Sequence, residues 1–184
     1  MKQAAKPIVM KLADNHSWSA PDGFKIVVME RGAALFNVPQ AWVVTDFEPF
    51  TVRDAPVPKD IMGVQVSILQ MPRGIDWSAL PLANLLKQVM GKSYGKKSKN
   101  TEVFVSPRTD LALVWIETLF TDKKEKRDAY ARTAVARLDG THVVITFSFW
   151  VTDVEMALPV WDEVLRSLQL GLKIDDPRKG QTLH

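Results

Sequence analysis

Residues 129–150 read Ala-Tyr-Ala-Arg-Thr-Ala-Val-Ala-Arg-Leu-Asp-Gly-Thr-His-Val-Val-Ile-Thr-Phe-Ser-Phe-Trp, and the fold is organised by how this stretch pairs with itself. Asp139-Gly140 separates two runs rich in β-branched and aromatic residues, which is the pattern of a two-residue β-hairpin link of type I′. Such a link fixes register: Leu138 faces Thr141, Ala136 faces Val143, Ala134 faces Ile145, Arg132 faces Phe147 and Tyr130 faces Phe149. One face then pairs small or aromatic residues with large apolar ones. The other carries Thr133, Val135, Arg137, His142, Val144, Thr146, Ser148 and Trp150. A long hairpin with an apolar face needs covering layers, which predicts an α+β sandwich.

Moving outward, Thr101–Ser106 and Leu111–Phe120 are too β-branched and aromatic for helices, and Asp122–Asp128 mixes charges of both signs as a solvated hairpin tip. If that tip closes symmetrically, Phe120 faces Ala129 and Glu117 faces Arg132, on the same face as Leu113, Trp115, Leu119, Tyr130 and Phe147. An unpaired charge there would cost several kcal/mol. The parity predicts a cross-strand ion pair between Glu117 and Arg132, with Arg132 against Phe147, that fixes register. A ligand-binding arginine at a cavity is the alternative.

Earlier strands are expected at Phe24–Met29 and Ala33–Val38, joined by Glu30-Arg31-Gly32 with Gly32 supplying positive φ, at Ala41–Asp46 and Phe50–Arg53, and at Gly63–Met71. Leu82, Leu85, Leu86, Val89 and Met90 recur at helical spacing, with Asp76 and Ser78 as candidate caps, Pro81 in the first turn and Gly91 as the stop. Trp161, Val164, Leu165 and Leu168 repeat the spacing after Pro159, and Gly171 closes that helix. The organisation is a single-domain α+β sandwich over 24–171, with helices on one or both faces of a long, mostly antiparallel sheet. An N-terminal arm with a short strand (1–23) precedes it and a flexible tail (172–184) follows.

With 184 residues and 46% apolar content, the chain can build one full core, which excludes disorder. Zero cysteines remove disulfide frameworks, thiol nucleophiles and thiolate metal sites together. The excess of 24 Lys plus Arg over 21 Asp plus Glu is too small for a specific nucleic-acid binder. The apolar stretch Pro7–Met10 is too brief for a signal-peptide core or a membrane span, so a cytoplasmic setting is expected.

Catalytic constellations are scarce. His16, His142 and His184 stand in separate contexts without ligand spacing, and they read as loop or strand histidines. Gly91-Lys92-Ser93 resembles the end of a phosphate-binding loop, but the upstream glycine position holds Leu86 and the segment follows a helix. Asp162-Glu163 and Asp175-Asp176 read as solvated carboxylates, and there is no nucleophile elbow. No cofactor, no metal and no enzymatic activity are expected. The unbalanced feature is Lys92, Lys96, Lys97 and Lys99 with Tyr94 interleaved, a basic loop able to steer an acidic partner if it is more than solubilising.

Phe36-Asn37-Val38-Pro39-Gln40-Ala41-Trp42, then Val64-Gln65-Val66-Ser67-Ile68, a helix, a meander of long strands and the closing Trp161–Leu170 segment resemble the PsbP-like superfamily over about residues 24–171. That superfamily includes the photosystem II extrinsic subunit, Mog-type Ran-binding factors and DcrB-like bacterial proteins. The resemblance implies a single-domain, three-layer α/β/α sandwich around a central antiparallel sheet, without catalytic residues, that binds another protein, and it transfers no individual site residue. Two alternatives stand beside a protein-binding or assembly module. One is a small-molecule or anion-binding protein using the sheet face around Thr133, Thr146, Ser148 and Trp150 or the lysine loop. The other is a toxin-immunity protein.

Overall fold

The hairpin at Asp139-Gly140 lies near the middle of a seven-stranded sheet. The computed structural model describes residues 18–70, 80–93, 102–174 and 182–183. In chain order the elements are β1 (Phe24–Met29), β2 (Ala34–Pro39), β3 (Val43–Phe47), β4 (Phe50–Arg53), β5 (Met62–Gln70), α1 (Leu82–Ser93), β6 (Phe104–Val105) and β7 (Ala112–Asp122). There follow β8 (Arg127–Leu138), β9 (Thr141–Trp150), α2 (Val154–Ser167), β10 (Gln169–Leu170), β11 (Lys173–Ile174) and β12 (Thr182–Leu183). The large sheet has the order β3-β4-β5-β9-β8-β7-β6, a smaller one has the order β1-β2-β10, and β11 pairs with β12. Every pairing among the described residues is antiparallel.

The fold is α+β and resolves into three layers. On one face of the large sheet, Val64, Val66, Ala134, Val143, Ile145 and Phe147 share a core with Val27, Phe36 and Val38 of the small sheet and Ala157, Trp161 and Val164 of α2. Trp161 stacks on Phe147 at 6.0 Å between ring centroids and meets Trp115 edge-on at 5.8 Å. Helix α2 sits beside the small sheet: Asn37 donates its backbone N–H to Ser167 Oγ (2.8 Å) and its side-chain amide to Glu163 Oε1 (2.7 Å). Arg108 caps the end of α2, donating to the carbonyls of Leu165 (2.8 Å) and Arg166 (3.3 Å). The outer side of the small sheet is closed by Trp18 packing with Leu35, Ile26, Val28 and Leu172. On the other face of the large sheet, Leu82, Leu86 and Met90 of α1 cover Val114, Ile116 and Val135.

The expected registers hold in both long hairpins, from Leu138↔Thr141 to Tyr130↔Phe149 and from Phe120↔Ala129 to Glu117↔Arg132. Their turns differ in detail. Asp139 takes left-handed φ (48°) and Gly140 does not, so the link is not type I′, which needs positive φ at both positions. The β1–β2 link is four residues, Glu30–Ala33, because Met29 pairs with Ala34. Glu30, Arg31 and Gly32 all take positive φ (43°, 55° and 92°), where Gly32 alone was expected to.

Both helices depart from the expected limits. Helix α1 runs through Gly91 to Ser93, since an interior glycine costs about 1 kcal/mol and is no obligatory stop. Pro81 precedes the helix and its carbonyl accepts from Asn84 N–H (3.0 Å), while the candidate caps Asp76 and Ser78 lie outside the described residues. Helix α2 begins five residues before Pro159, at Val154. The proline removes one helical donor at a cost of about 3 kcal/mol, and burying Ala157, Val160 and Trp161 outweighs it. Helix α2 ends at Ser167, and Gly171, at φ +75°, follows β10 instead of closing the helix.

The expected arm strand would fall within residues 1–17, outside the described residues; 18–23 contain none. Part of the segment read as a loose tail is paired, with Lys173↔Leu183 and Ile174↔Thr182.

Candidate functional site

Glu117 and Arg132 meet as the register requires, with Arg132 Nε donating to Glu117 Oε2 at 2.7 Å. The pair is not deeply buried: the side chains are 12% (Arg132) and 32% (Glu117) exposed. Arg132 does not lie against Phe147 as expected. Phe147 faces it across the ladder but is fully buried beneath Trp161, so the guanidinium is displaced outward over Trp115 (5.0 Å) and Phe149 (5.8 Å). Phe104 stacks on Trp115 at 4.2 Å and belongs to β6, the terminal strand of the sheet. Phe104, Val105 and Leu119 are exposed, as is Leu158 on α2. Composition marked 101–106 as a strand, but its place at the sheet edge depends on topology, for which the sequence carries no local signal.

Lys92 lies in the last turn of α1, so it is not part of a loop. Tyr94, Lys96, Lys97 and Lys99 lie outside the described residues.

The α1 face divides into two regions. Beneath α1, Thr118 and Thr133 are buried and their hydroxyls have no hydrogen-bond partner among the described residues. His142 is also buried here; neither ring nitrogen makes a well-formed hydrogen bond among the described residues, and the Gly140 backbone interacts weakly with the ring. Burial, reinforced by the charge of Arg137 across the ladder, holds its pKa below the ordinary histidine value and keeps the ring neutral. Ser148 and Trp150 lie beyond α1, where they line an open cavity of about 520 Å³ that α1 does not reach. Its walls are the 57–62 segment and the β7–β8 tip, and Thr133 and Thr146 are not among its lining residues.

Arg53 enters this cavity, a position the sequence did not single out. It stands beside Gly63 in the β4–β5 register, where an added Cβ would meet Arg53 Cγ at 3.0 Å. Gly63 thus gives the arginine stem room to lie across the sheet. Arg53 Nη1 donates to Asp60 Oδ2 at 2.5 Å. The segment carrying Asp60 is pinned by Asp54, whose Oδ1 accepts from the backbone of Ile61 (3.0 Å) and Met62 (3.2 Å). Among the described residues no group of three or more His, Asp or Glu converges as a metal site, and no helix is long and apolar enough to cross a membrane.

Residues 25–174 match the profile of a family described as Alr1449. The chain belongs to the Alr1449 family. It is 39% identical over 176 residues to the uncharacterized protein alr1449 of Nostoc sp. (strain PCC 7120), covering 93% of this chain and 90% of that one. Among solved structures, this Alr1449 member is similar to the cyanobacterial PsbP (CyanoP) of Synechocystis sp. PCC 6803, with a TM-score of 0.57 at 12% identity over 84% of this chain and 99% of the other. The Saccharomyces cerevisiae Ran-binding protein Mog1p gives 0.50 at 11% identity, over 80% of this chain and 95% of the other. At these identities the likeness is one of fold, and the PsbP-like and Mog-like architecture expected from the sequence is the one this Alr1449 chain adopts.

Proposed function

We propose that this chain is a non-enzymatic binding module that docks another protein on the β6–β7 edge of the large sheet. The carrying observation is Arg132 held by Glu117 over Trp115, on which Phe104 stacks, with Phe104 and Val105 of the terminal strand β6 and Leu119 of β7 all exposed. Trp, Tyr and Arg dominate protein-binding hot spots because they bury much area at small entropic cost, and an edge strand offers backbone groups for strand addition. Mog1p is by its name a Ran-binding protein, which supports protein binding as one use of this fold. The lysines at 92, 96, 97 and 99 belong to the same proposal as steering charge.

The test compares affinity capture by the native chain with capture by Val105→Lys and Leu119→Lys, two exposed changes that should leave the melting temperature within about 1–2 °C. A stoichiometric protein retained by the native chain and lost by both variants supports docking at this edge. Capture that is indifferent to both variants would remove the edge from consideration.

A further inference from the structure

On the opposite sheet face from the proposed docking edge, the cavity beside Gly63 has the composition of a small-ligand pocket. Its volume of about 520 Å³ lies within the roughly 300–1,000 Å³ range of such pockets. Phe120 and Trp150 line it with aromatic surface, and Gly63, Ala129 and Ser148 are the small residues among its lining. It also carries four cations, Arg53, Lys59, Lys124 and Arg127, against three carboxylates, Asp60, Asp122 and Glu125.

Most of these charges are engaged. Asp122 Oδ1 accepts the backbone N–H groups of Lys124 and Glu125, both at 2.8 Å, and Lys124 and Glu125 face each other at 3.7 Å. Arg127 covers Trp150 at 4.9 Å, bonds Thr152 Oγ1 and lies 3.5 Å from Asp153, so its part is to hold the indole in place. Lys59 has no side-chain partner among the described residues, and Arg53 is only partly engaged. A guanidinium has five N–H donors, and this one bonds Asp60 through Nη1, while among the described residues Nε has no partner and no bond leaves Nη2. Asp60 and the Gly63 gap hold it in place while leaving Nη2 available, an arrangement suited to a planar oxyanion.

We propose that this cavity binds a small aromatic carboxylate, with the ring against the Trp150 and Phe120 wall and the carboxylate on Arg53 Nη2. Lys59, which also lines the cavity, adds long-range attraction for the anion.

The test follows backbone amide and indole resonances of the full chain by NMR during titration with benzoate and, separately, with its neutral counterpart benzamide. Benzoate should shift Gly63, Ser148 and the Trp150 indole at concentrations where benzamide shifts nothing. Arg53→Gln should weaken benzoate binding at least tenfold while keeping the dispersed spectrum, and Gly63→Ala, which presses on the arginine stem, should weaken it as well. If Arg53→Gln loses its fold, Arg53→Lys replaces it, keeping the charge while losing the planar fork, with the same expected loss. The proposal is overturned if benzoate causes no shifts, if the shifts lie elsewhere, if benzamide binds equally well, or if both Arg53 variants bind benzoate like the native chain.

Discussion

Adjacent residues of β8 and β9 build two unlike faces. Toward α2, Ala134, Ala136, Val143, Ile145, Phe147 and Phe149 are buried among the aliphatic and aromatic side chains of the small sheet and α2. One residue along, toward α1, lie Thr133, His142, Ser148 and Trp150, with buried hydroxyls that have no partner among the described residues and an open cavity beyond α1. A close-packed apolar layer gives stability because transfer and packing terms act together, whereas a buried hydroxyl or imidazole without a partner has a desolvation cost. The α2 face therefore carries most of the folding energy. The α1 face carries less, and it holds the room and the free donor that ligand binding needs.

The largest test of this contrast is truncation on the α2 face. Phe147→Ala or Trp161→Ala should destabilise by about 3–5 kcal/mol, lowering the melting temperature by roughly 10 °C. An effect below 1 kcal/mol would mean that this face is not the stabilising one. The Glu117–Arg132 pair, at the open margin of the same face, should matter less. Arg132→Ala should cost about 2 kcal/mol, below the 3–5 kcal/mol of a fully buried broken pair because both side chains reach solvent. Replacing Glu117 and Arg132 together with Leu and Met should cost under about 1 kcal/mol in chemical denaturation.

On the α1 face, acidification should expose His142. Its folded pKa is lowered, first by burial and then by Arg137, so the unfolded chain takes up the proton first. Stability is thus intact above the ordinary value of 6.5 and falls as the pH drops below it, with a slope no steeper than about 1.4 kcal/mol per pH unit. His142→Phe should flatten that part of the profile. The steeper acid loss below pH 4.5 should remain, because Glu163, held low by its bonds from Arg166 and Asn37, and Asp110, held low by Arg108, lose those interactions on protonation. Thr133→Val should reverse the usual sign for a buried substitution and stabilise by about 1 kcal/mol, since it removes an unpartnered hydroxyl at nearly constant shape. The smallest effect is expected from changing Lys92, Lys96, Lys97 and Lys99 together to Ser, which should leave the melting temperature nearly unchanged. A drop of many degrees would show that these lysines pack, and would end their assignment to steering.

The sequence alone determined what depends on neighbours along the chain. The two short hairpin links fixed the β7–β8–β9 registers, and with them the facing of Glu117 and Arg132, because side chains alternate along a strand and one pairing propagates to all others. Helical periodicity found α1 and α2, although packing set their limits: Pro159 and Gly91 are local penalties of a few kcal/mol at most, which burial elsewhere in the helix overrides. What no local pattern carried was which strands lie far apart in sequence and side by side in space. The placement of β6 at the end of the described sheet and the meeting of Arg53, Asp60 and Gly63 with Ser148 and Trp150 follow from the order β3-β4-β5-β9-β8-β7-β6, and the displacement of Arg132 onto Trp115 and Phe149 follows from α2 burying Phe147 beneath Trp161. That order is set by which faces can be buried together across the whole domain, a global condition that pairs of neighbouring residues do not encode.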